Sequence, residues 1–398
     1  MRLLERQSDV LSTLWKVPGG LDVWCIFLGA IVVQLAAFDP FINLYDEGII
    51  LVGAERVLHG DIPYRDFWTM YGPGQYYFVS WLFSVFGTSD LVLRISAYII
   101  KAVITSLSFL IMIRFTSKGV AYAASALIIG LVIAVRQEAS PLFPALAFAL
   151  AAVIFVERGL KHGSLNFFVA GTFTGLATCF RHDLGAYNAA SIILFLTFFS
   201  FSRSEDTRMV NALSMAGIRI VWYLAGVFVV TGMVIFMLFR AVSIDDLYEN
   251  LIYIPSNIYP AVRAIPFPGL NDLLAINPLH PGSVAVFAVY VPFYVVCGVM
   301  IFEIRHMKNL PLRFFPVDDG RRLILLISLT CLLFTLKGFV RATNTHMVQS
   351  LVLSVVLITV GVSRLDWRSQ GDRLFCLIGL LPAAVLVSIL SAGAFLAT

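Results

Sequence analysis

A stretch between the first two apolar runs decides the fold, and residues 46–86 read DEGIILVGAERVLHGDIPYRDFWTMYGPGQYYFVSWLFSVF. It begins with the acidic pair Asp46 and Glu47 and continues with apolar residues at helical spacing as far as Gly60. One face of that helix carries Ile50, Leu51, Ala54, Val57 and Leu58. The spacing predicts an amphipathic helix that lies flat on a membrane surface.

The composition of the whole chain is too apolar for a soluble protein. Of the 398 residues, 59% are hydrophobic and 13% are charged, whereas about 25% of the residues in a soluble domain are charged. The sequence therefore predicts an all-α integral membrane protein. It excludes a cytosolic enzyme, a secreted disulfide scaffold and a nucleic-acid binder. The net charge of +4 is too small to indicate a polyanionic partner.

The apolar runs predict how many helices cross the membrane, since a crossing takes about 20 mostly apolar residues. We expect about eleven transmembrane helices, at residues 22–38, 91–113, 120–135, 141–156, 166–180, 187–201, 219–239, 284–302, 323–339, 347–362 and 374–397. A further run, residues 73–86, is shorter and has the length of an interfacial segment.

Basic residues between the runs predict the orientation, because short cytoplasmic loops collect Lys and Arg. With a cytoplasmic N-terminus and an uncleaved first span, all the connecting segments rich in Lys and Arg are cytoplasmic. Their basic residues are Arg2, Arg6, Lys16, Arg114, Lys118, Arg158, Lys161, Arg203, Arg208, Arg305, Lys308, Arg313, Arg321, Arg322, Arg364, Arg368 and Arg373. The run 73–86 then lies at the outer interface. An aromatic belt there would include Tyr64, Phe67, Trp68, Tyr71, Tyr76, Tyr77 and Trp81.

This topology leaves two long external loops, 39–90 and 240–282, and three short ones, 136–140, 181–186 and 337–346. The second long loop contains six prolines interleaved with tyrosines. That pattern favours an ordered cover over a cavity at the membrane surface, and a plain linker is the alternative.

The acidic pair of the first loop has two interpretations. Asp46 and Glu47 stand at a helix N-terminus, where a carboxylate caps the helix and is favoured by the helix dipole. Alternatively, they form an ionised pair that acts as a general base or holds a cation.

Other polar residues concentrate in the same external loops. An arginine and an acid at the end of a span either anchor that span or contribute to a site, and Arg65 and Asp66 could form a plain surface ion pair. Lys337 and Arg341 are cations on the side where positive charge is disfavoured, so they predict an anionic ligand such as phosphate. The candidate substrate-binding residues are Arg65, Asp66, Glu138, Arg181, His182, Asp183, Lys337 and Arg341.

The strings DEG, AERVLHGDIPYRDF, YGPGQYYF and LFSVFG within residues 46–87 resemble the polytopic GT-C glycosyltransferases. The resemblance is to bacterial members related to protein O-mannosyltransferases and lipid A aminoarabinose transferases. It covers about the first 115 residues and continues in the later topology and in the RHDLG loop. It implies a GT-C-like catalytic transmembrane module over residues 1–283, then C-terminal transmembrane helices over residues 284–398, without a soluble domain.

The resemblance also implies an activity. Such enzymes move a sugar from a polyprenyl-phosphate donor to a hydroxyl acceptor, which is a glycan, a lipid or a protein. The site would lie on the extracytoplasmic face of a bacterial inner membrane, in contact with membrane lipids. Asp46 is implied as the catalytic carboxylate, with Glu47 beside it. The resemblance implies no particular cofactor, and it leaves open whether a divalent cation takes part in the reaction.

We predict a displacement that inverts the anomeric centre, in which Asp46 takes the proton of the attacking hydroxyl. Lys337 and Arg341, together with Arg181, would stabilise the departing phosphate. A secondary transporter, whose site would lie near the bilayer midplane, and a lipid flippase are the rival functions. The concentration of ionisable residues at one predicted face favours the enzyme.

Overall fold

The computed structural model describes residues 20–39, 43–201, 209–274, 286–306, 319–365 and 380–396, with positions 368–370, 373 and 376. These residues form helices and connecting loops, with isolated β-bridges in place of strands. Several residues on which the predicted orientation rests lie outside the described part, namely Arg2, Arg6, Lys16, Arg203, Arg208, Lys308 and Arg313. The orientation therefore remains a prediction.

The longer helices follow one another in the order α1 (Gly20–Ala36), α2 (Asp46–Leu58), α3 (Gly74–Phe86), α4 (Asp90–Met112), α5 (Lys118–Ala134), α6 (Leu142–His162), α7 (Leu165–Phe180), α8 (His182–Phe201), α9 (Met209–Ala241), α10 (Val291–His306), α11 (Asp319–Thr335), α12 (Asn344–Ser363) and α13 (Leu381–Leu396). Short helical pieces lie between α9 and α10, namely Ile244–Tyr248, the π-helix Glu249–Ile258, Tyr259–Arg263 and Leu270–Leu274. The 3-10 turns Val286–Tyr290 and Leu336–Phe339 precede α10 and follow α11.

Many of these helices have the length and composition of membrane spans. Within the described residues, six are long and apolar enough to cross a bilayer, namely Asp90–Met112, Leu142–His162, Ser214–Ala241, Val286–Glu303, Gly320–Phe339 and Asn344–Ser363. Shorter apolar helices cover Gly20–Ala36, Lys118–Ala134, Leu165–Phe180 and Leu381–Ser391. The expectation of an all-α integral membrane protein is confirmed, whereas about eleven crossings remain a prediction.

Close helix contacts fix the turn between α7 and α8. Helix α7 packs against α9 through Gly171 and Gly226, where an added Cβ would overlap the backbone of the other helix. The buried Thr174 side chain accepts hydrogen bonds from the Tyr223 hydroxyl and from Asn188 Nδ2, both at 2.9 Å. These contacts join α7, α8 and α9, because buried polar groups are stable only when they are hydrogen-bonded.

The predicted amphipathic helix is present as α2, and it packs against α3. Ile50 and Ala54 are buried on its apolar face, together with Tyr76 of α3. The aromatic-belt prediction is wrong for Tyr76 and Tyr64, which are only 0% and 3% exposed. The Tyr76 ring packs between α2 and α3, and the Tyr64 ring packs against Leu238 and Leu247, because burying a large aromatic surface stabilises the packing. The position of α2 relative to a membrane stays a prediction.

The second long loop is tied at two points, to the first long loop and to the turn between α11 and α12. The amide of Thr69 donates to Asn250 Oδ1 at 3.1 Å. Farther along, Ile265 donates to the Val340 carbonyl at 3.0 Å and accepts from the Ala342 amide at 2.9 Å. Residues 275–282 of this predicted loop lie outside the described part. The described portion is helical and anchored, and its role as a cover over a cavity at the membrane surface stays a prediction.

Candidate active site

A cavity of about 1080 Å³ opens where the loops and helix ends meet. Its walls come from the start of α2, the α7–α8 turn, the second long loop and the turn between α11 and α12. Six of the ten predicted site residues line it, namely Asp46, Arg181, His182, Asp183, Lys337 and Arg341. The structure therefore brings together residues that lie up to about 300 positions apart in the sequence.

Asp46 lines this cavity and is not needed as a helix cap. The Asn43 side chain performs that role, because its Oδ1 accepts the amides of Tyr45 and Asp46, both at 3.1 Å. Asn43 Nδ2 also donates to one carboxylate oxygen of Asp46 at 3.1 Å. The other carboxylate oxygen accepts no hydrogen bond from the described residues. Asp46 therefore lies in the first turn of α2 without capping it through its side chain, and its exposed carboxylate is available to a ligand.

Glu47, the next residue of α2, does not line the cavity. Its carboxylate pairs with Arg94 of α4 at 2.8 Å, and each side chain is 3% exposed. The same carboxylate accepts the Asn43 amide at 3.0 Å, and Arg94 donates to the carbonyl of Asp39. A buried, paired carboxylate of this kind holds α2 against α4.

The RHDLG segment forms a tight turn that presents three polar side chains to the cavity. Gly185 is required there, because a Cβ would overlap Thr178. Arg181 Nε donates to both carboxylate oxygens of Asp183, at 2.9 and 3.1 Å. Burial raises the pKa of Asp183, but Arg181 and Lys337 lower it more, so that its pKa is about 2. Asp183 is therefore ionised at neutral pH.

His182 is neutral at this position, because burial lowers its pKa. Its Nδ1 atom is buried and has no hydrogen-bond partner among the described residues. A buried ring nitrogen without a hydrogen-bond partner costs free energy unless a ligand or a water molecule forms a hydrogen bond with it. His182 can therefore offer one hydrogen bond to a molecule in the cavity.

Two cations from the turn between α11 and α12 complete the wall. Arg341 Nη1 donates to the Tyr259 hydroxyl at 3.3 Å, which connects this turn to the cover loop. Lys337 makes no hydrogen bond or ion pair with any described residue, and it lies near Asp183 and Arg181. With Arg263, four basic side chains line the cavity, and the three arginines alone outnumber the carboxylates of Asp46 and Asp183. The wall carries an excess of positive charge, which suits an anion.

The other predicted substrate-binding residues have protein partners and do not line the cavity. Arg65 and Asp66 pair with each other at 2.8 Å on the exposed surface, as the alternative of a surface ion pair predicts. Glu138 pairs at 2.5 Å with Lys101 of α4, a lysine that is 1% exposed. Lys101 also lies 4.7 Å from the Phe143 ring centroid. This pair supports the loop that ends α5.

Sequence reasoning missed several residues of the site. Tyr71, Tyr259, Arg263 and His346 also line the cavity, and Thr343 Oγ1 lies 2.8 Å from His346 Nδ1. The RATNTHM string placed His346 close to the predicted cation Arg341, which was a usable signal. Nothing in the local pattern distinguished Tyr71 from the aromatic residues around it.

No group of three or more His, Cys, Asp or Glu side chains in the described part of the chain is arranged to hold a metal ion. The carboxylates that line the cavity, Asp46 and Asp183, would be the ligands left for a divalent cation. Asp183 is already paired with Arg181. The arrangement is therefore better suited to an anion than to a metal.

The fold is similar to that of a solved enzyme. The crystal structure of ArnT from Cupriavidus metallidurans bound to undecaprenyl phosphate matches 94% of this chain and 74% of the ArnT chain, with a TM-score of 0.51 and 14% sequence identity. No protein-family model and no curated protein matches the sequence. At 14% identity the likeness concerns the fold, and ArnT is a lipid A aminoarabinose transferase of the GT-C class. The GT-C-like fold predicted from residues 46–87 is confirmed.

Proposed function

We propose that this protein is a membrane glycosyltransferase that moves a sugar from a polyprenyl-phosphate donor to a hydroxyl acceptor, with inversion at the anomeric carbon. One observation carries the proposal: a single cavity combines an available carboxylate, Asp46, with an excess of positive charge. The reaction needs both, because a proton leaves the acceptor while negative charge develops on the leaving phosphate.

The phosphate would bind at Lys337, Arg341 and Arg181. Lys337 has no partner among the described residues, and the guanidinium of Arg341 makes one long hydrogen bond to Tyr259. Arg181 is paired with Asp183, so that only part of its charge is available to the phosphate. Charge-assisted hydrogen bonds to phosphate are among the strongest in proteins. These cations would stabilise the phosphate more as its charge grows, which lowers the barrier to the displacement.

Asp46 would act as the general base. The acceptor oxygen forms a bond to C1, its proton passes to Asp46, and the electron pair of the C1–O bond remains on the phosphate. The orientation of Asp46 by Asn43 at 3.1 Å supports this role, since a base must be held within hydrogen-bond reach of its proton. Glu47 is proposed to support α2 through Arg94 rather than to react.

The remaining assignments follow from the fold and from the predicted topology. Undecaprenyl phosphate bound to ArnT supports a polyprenyl-phosphate lipid as the partner here. The acceptor is proposed to be a glycan, a lipid or a protein. We place the protein in a bacterial inner membrane, with a cytoplasmic N-terminus and an extracytoplasmic active site. His182 and Asp183 would contact the sugar.

The decisive experiment uses the purified full-length protein in lipid nanodiscs. Incubation with a panel of undecaprenyl-phosphate sugars and a mixture of acceptors should release undecaprenyl phosphate, which chromatography and mass spectrometry would detect. The Asp46→Asn protein should release far less. Movement of a sugar lipid across vesicle membranes without release of undecaprenyl phosphate would contradict the proposal and favour a flippase. Uptake of a soluble substrate without release would favour a secondary transporter.

A further inference from the structure

Tyr71 lies at the junction of the two charged parts of the cavity. It opens the YGPGQ stretch and lines the wall, where its ring lies 5.4 Å from the Arg181 guanidinium carbon. Burial raises the pKa of Tyr71, while the charges of Arg181 and Asp46 act on its hydroxyl in opposite directions. The hydroxyl is thus within electrostatic range of both the proposed base and the proposed phosphate site.

The backbone of Tyr71 is held from several sides. Its carbonyl accepts the hydroxyl of Tyr64 at 2.6 Å, and its amide donates to Thr69 Oγ1 at 3.1 Å. Tyr64 has a φ of 72°, which is unusual for a bulky residue and persists only where its surroundings hold it. The next residue, Gly72, has no room for a Cβ against the Cys179 carbonyl. Such support is typical of a side chain that must be positioned accurately.

The hydroxyl of Tyr71 has no hydrogen-bond partner among the described residues. The neighbouring tyrosines differ, because Tyr64 donates to the Tyr71 carbonyl and the Tyr76 hydroxyl lies 2.9 Å from Thr69 Oγ1. A protonated phenol is a hydrogen-bond donor. In this wall it is a donor without a protein acceptor among the described residues, and its ring lies beside Arg181, one of the residues that would hold a phosphate.

We propose that Tyr71 is a further catalytic residue, whose hydroxyl donates a hydrogen bond to the oxygen that bridges the sugar C1 and the phosphorus. This inference rests on the proposed function. In an in-line displacement, the bridging oxygen leaves on the side of C1 opposite the acceptor oxygen. It then lies next to the phosphate at Arg181, beside which the Tyr71 ring packs. As the C1–O bond breaks, its electron pair stays on that oxygen, and Tyr71 keeps its proton while the hydrogen bond strengthens.

The test compares the Tyr71→Phe protein with the wild type in nanodiscs. Phenylalanine keeps the ring beside Arg181 and removes the hydroxyl only. Turnover of a donor that the wild type uses should fall by about 100-fold, and the Kd for undecaprenyl phosphate should rise by about 10-fold. The Kd for undecaprenol and the unfolding temperature should not change. Tyr77→Phe is the matched control, because Tyr77 is 47% exposed and does not line the cavity.

Each outcome has a separate meaning. Wild-type turnover and wild-type affinity for undecaprenyl phosphate in the Tyr71→Phe protein would overturn the role of Tyr71 and leave the proposed function intact. A wild-type protein that binds undecaprenyl phosphate no better than undecaprenol would overturn the proposed function itself. An equal loss of activity in Tyr77→Phe would show a general effect of removing a tyrosine hydroxyl, and would also overturn the specific role.

Discussion

Asp46 and Glu47 are adjacent carboxylates in two different regions of the molecule. Glu47 belongs to a closed region, where it is 2% exposed and pairs with Arg94. Asp46 faces an open region, the cavity, where cations outnumber carboxylates. Charge that is buried and fully paired holds helices together, whereas charge left without a partner at a cavity is available for binding and chemistry. The difference teaches that access to the cavity, rather than residue type, separates supporting residues from candidate site residues.

The closed region should show the largest effect. Arg94→Met leaves the Glu47 carboxylate buried without its partner, which should lower the free energy of unfolding by about 3 to 5 kcal/mol. Unfolding of the purified protein in detergent, followed by intrinsic fluorescence, would measure the loss. The double variant Glu47→Gln with Arg94→Met should recover most of it, because no uncompensated charge remains. Wild-type stability of Arg94→Met would show that the pair does not hold α2.

A substitution in the open region should lower the turnover without lowering the stability. Asp46→Asn keeps the size of the side chain but cannot accept a proton at neutral pH, so turnover should fall by about 100-fold or more. The unfolding temperature and the Kd for undecaprenyl phosphate should stay unchanged. Glu55→Gln is the control, since Glu55 lies on the exposed side of the same helix. Full sugar transfer by Asp46→Asn would remove the proposed base.

The cations of the cavity should affect binding more than folding. Lys337→Ala and Arg341→Ala should each weaken the binding of undecaprenyl phosphate by about 1.5 to 3 kcal/mol, the usual contribution of a hydrogen bond to a charged group. Titration of the nanodisc-embedded protein with the lipid would report the loss. Unchanged affinity in the variant that carries both substitutions would place the phosphate elsewhere.

The smallest effect is expected at the exposed pair of Arg65 and Asp66. Arg65→Ala removes an ion pair in water, where screening and side-chain entropy offset most of the attraction. Neither turnover nor the unfolding temperature should change measurably. A clear loss of turnover would show that Arg65 contributes to the site and that the cavity lining does not include every site residue.

Several elements of the fold were predictable from the sequence. Helix α2 begins at Asp46 as predicted, and the six long apolar helices coincide with predicted runs. Both features are local, because apolar length and helical spacing are properties of neighbouring residues. The GT-C-like fold was also indicated by a local string, residues 46–87, and the same general architecture occurs in ArnT at 14% identity.

The sequence also determined part of the site. Asp46, Arg181 and Lys337 were predicted from unusual polar residues next to apolar runs, and all three line the cavity. Lys337 stands out because positive charge is disfavoured in external loops, and all three stand out because ionisable residues are rare in so apolar a chain. The same reasoning included Arg65 and Glu138, which have protein partners instead. A local pattern detects an unusual charge but does not reveal what neutralises it.

Tertiary structure alone decided which charges are paired. Arg94 reaches Glu47 across 47 positions of sequence and Lys101 reaches Glu138 across 37, so neither partner is visible in the local pattern. Tyr71 enters the cavity wall for the same reason, since its neighbour Arg181 comes from a distant turn. The free energy of a charge depends on the groups around it in space. The sequence therefore determined where the polar residues lie along the chain, and the packing of distant helices decided which of them remain available to a ligand.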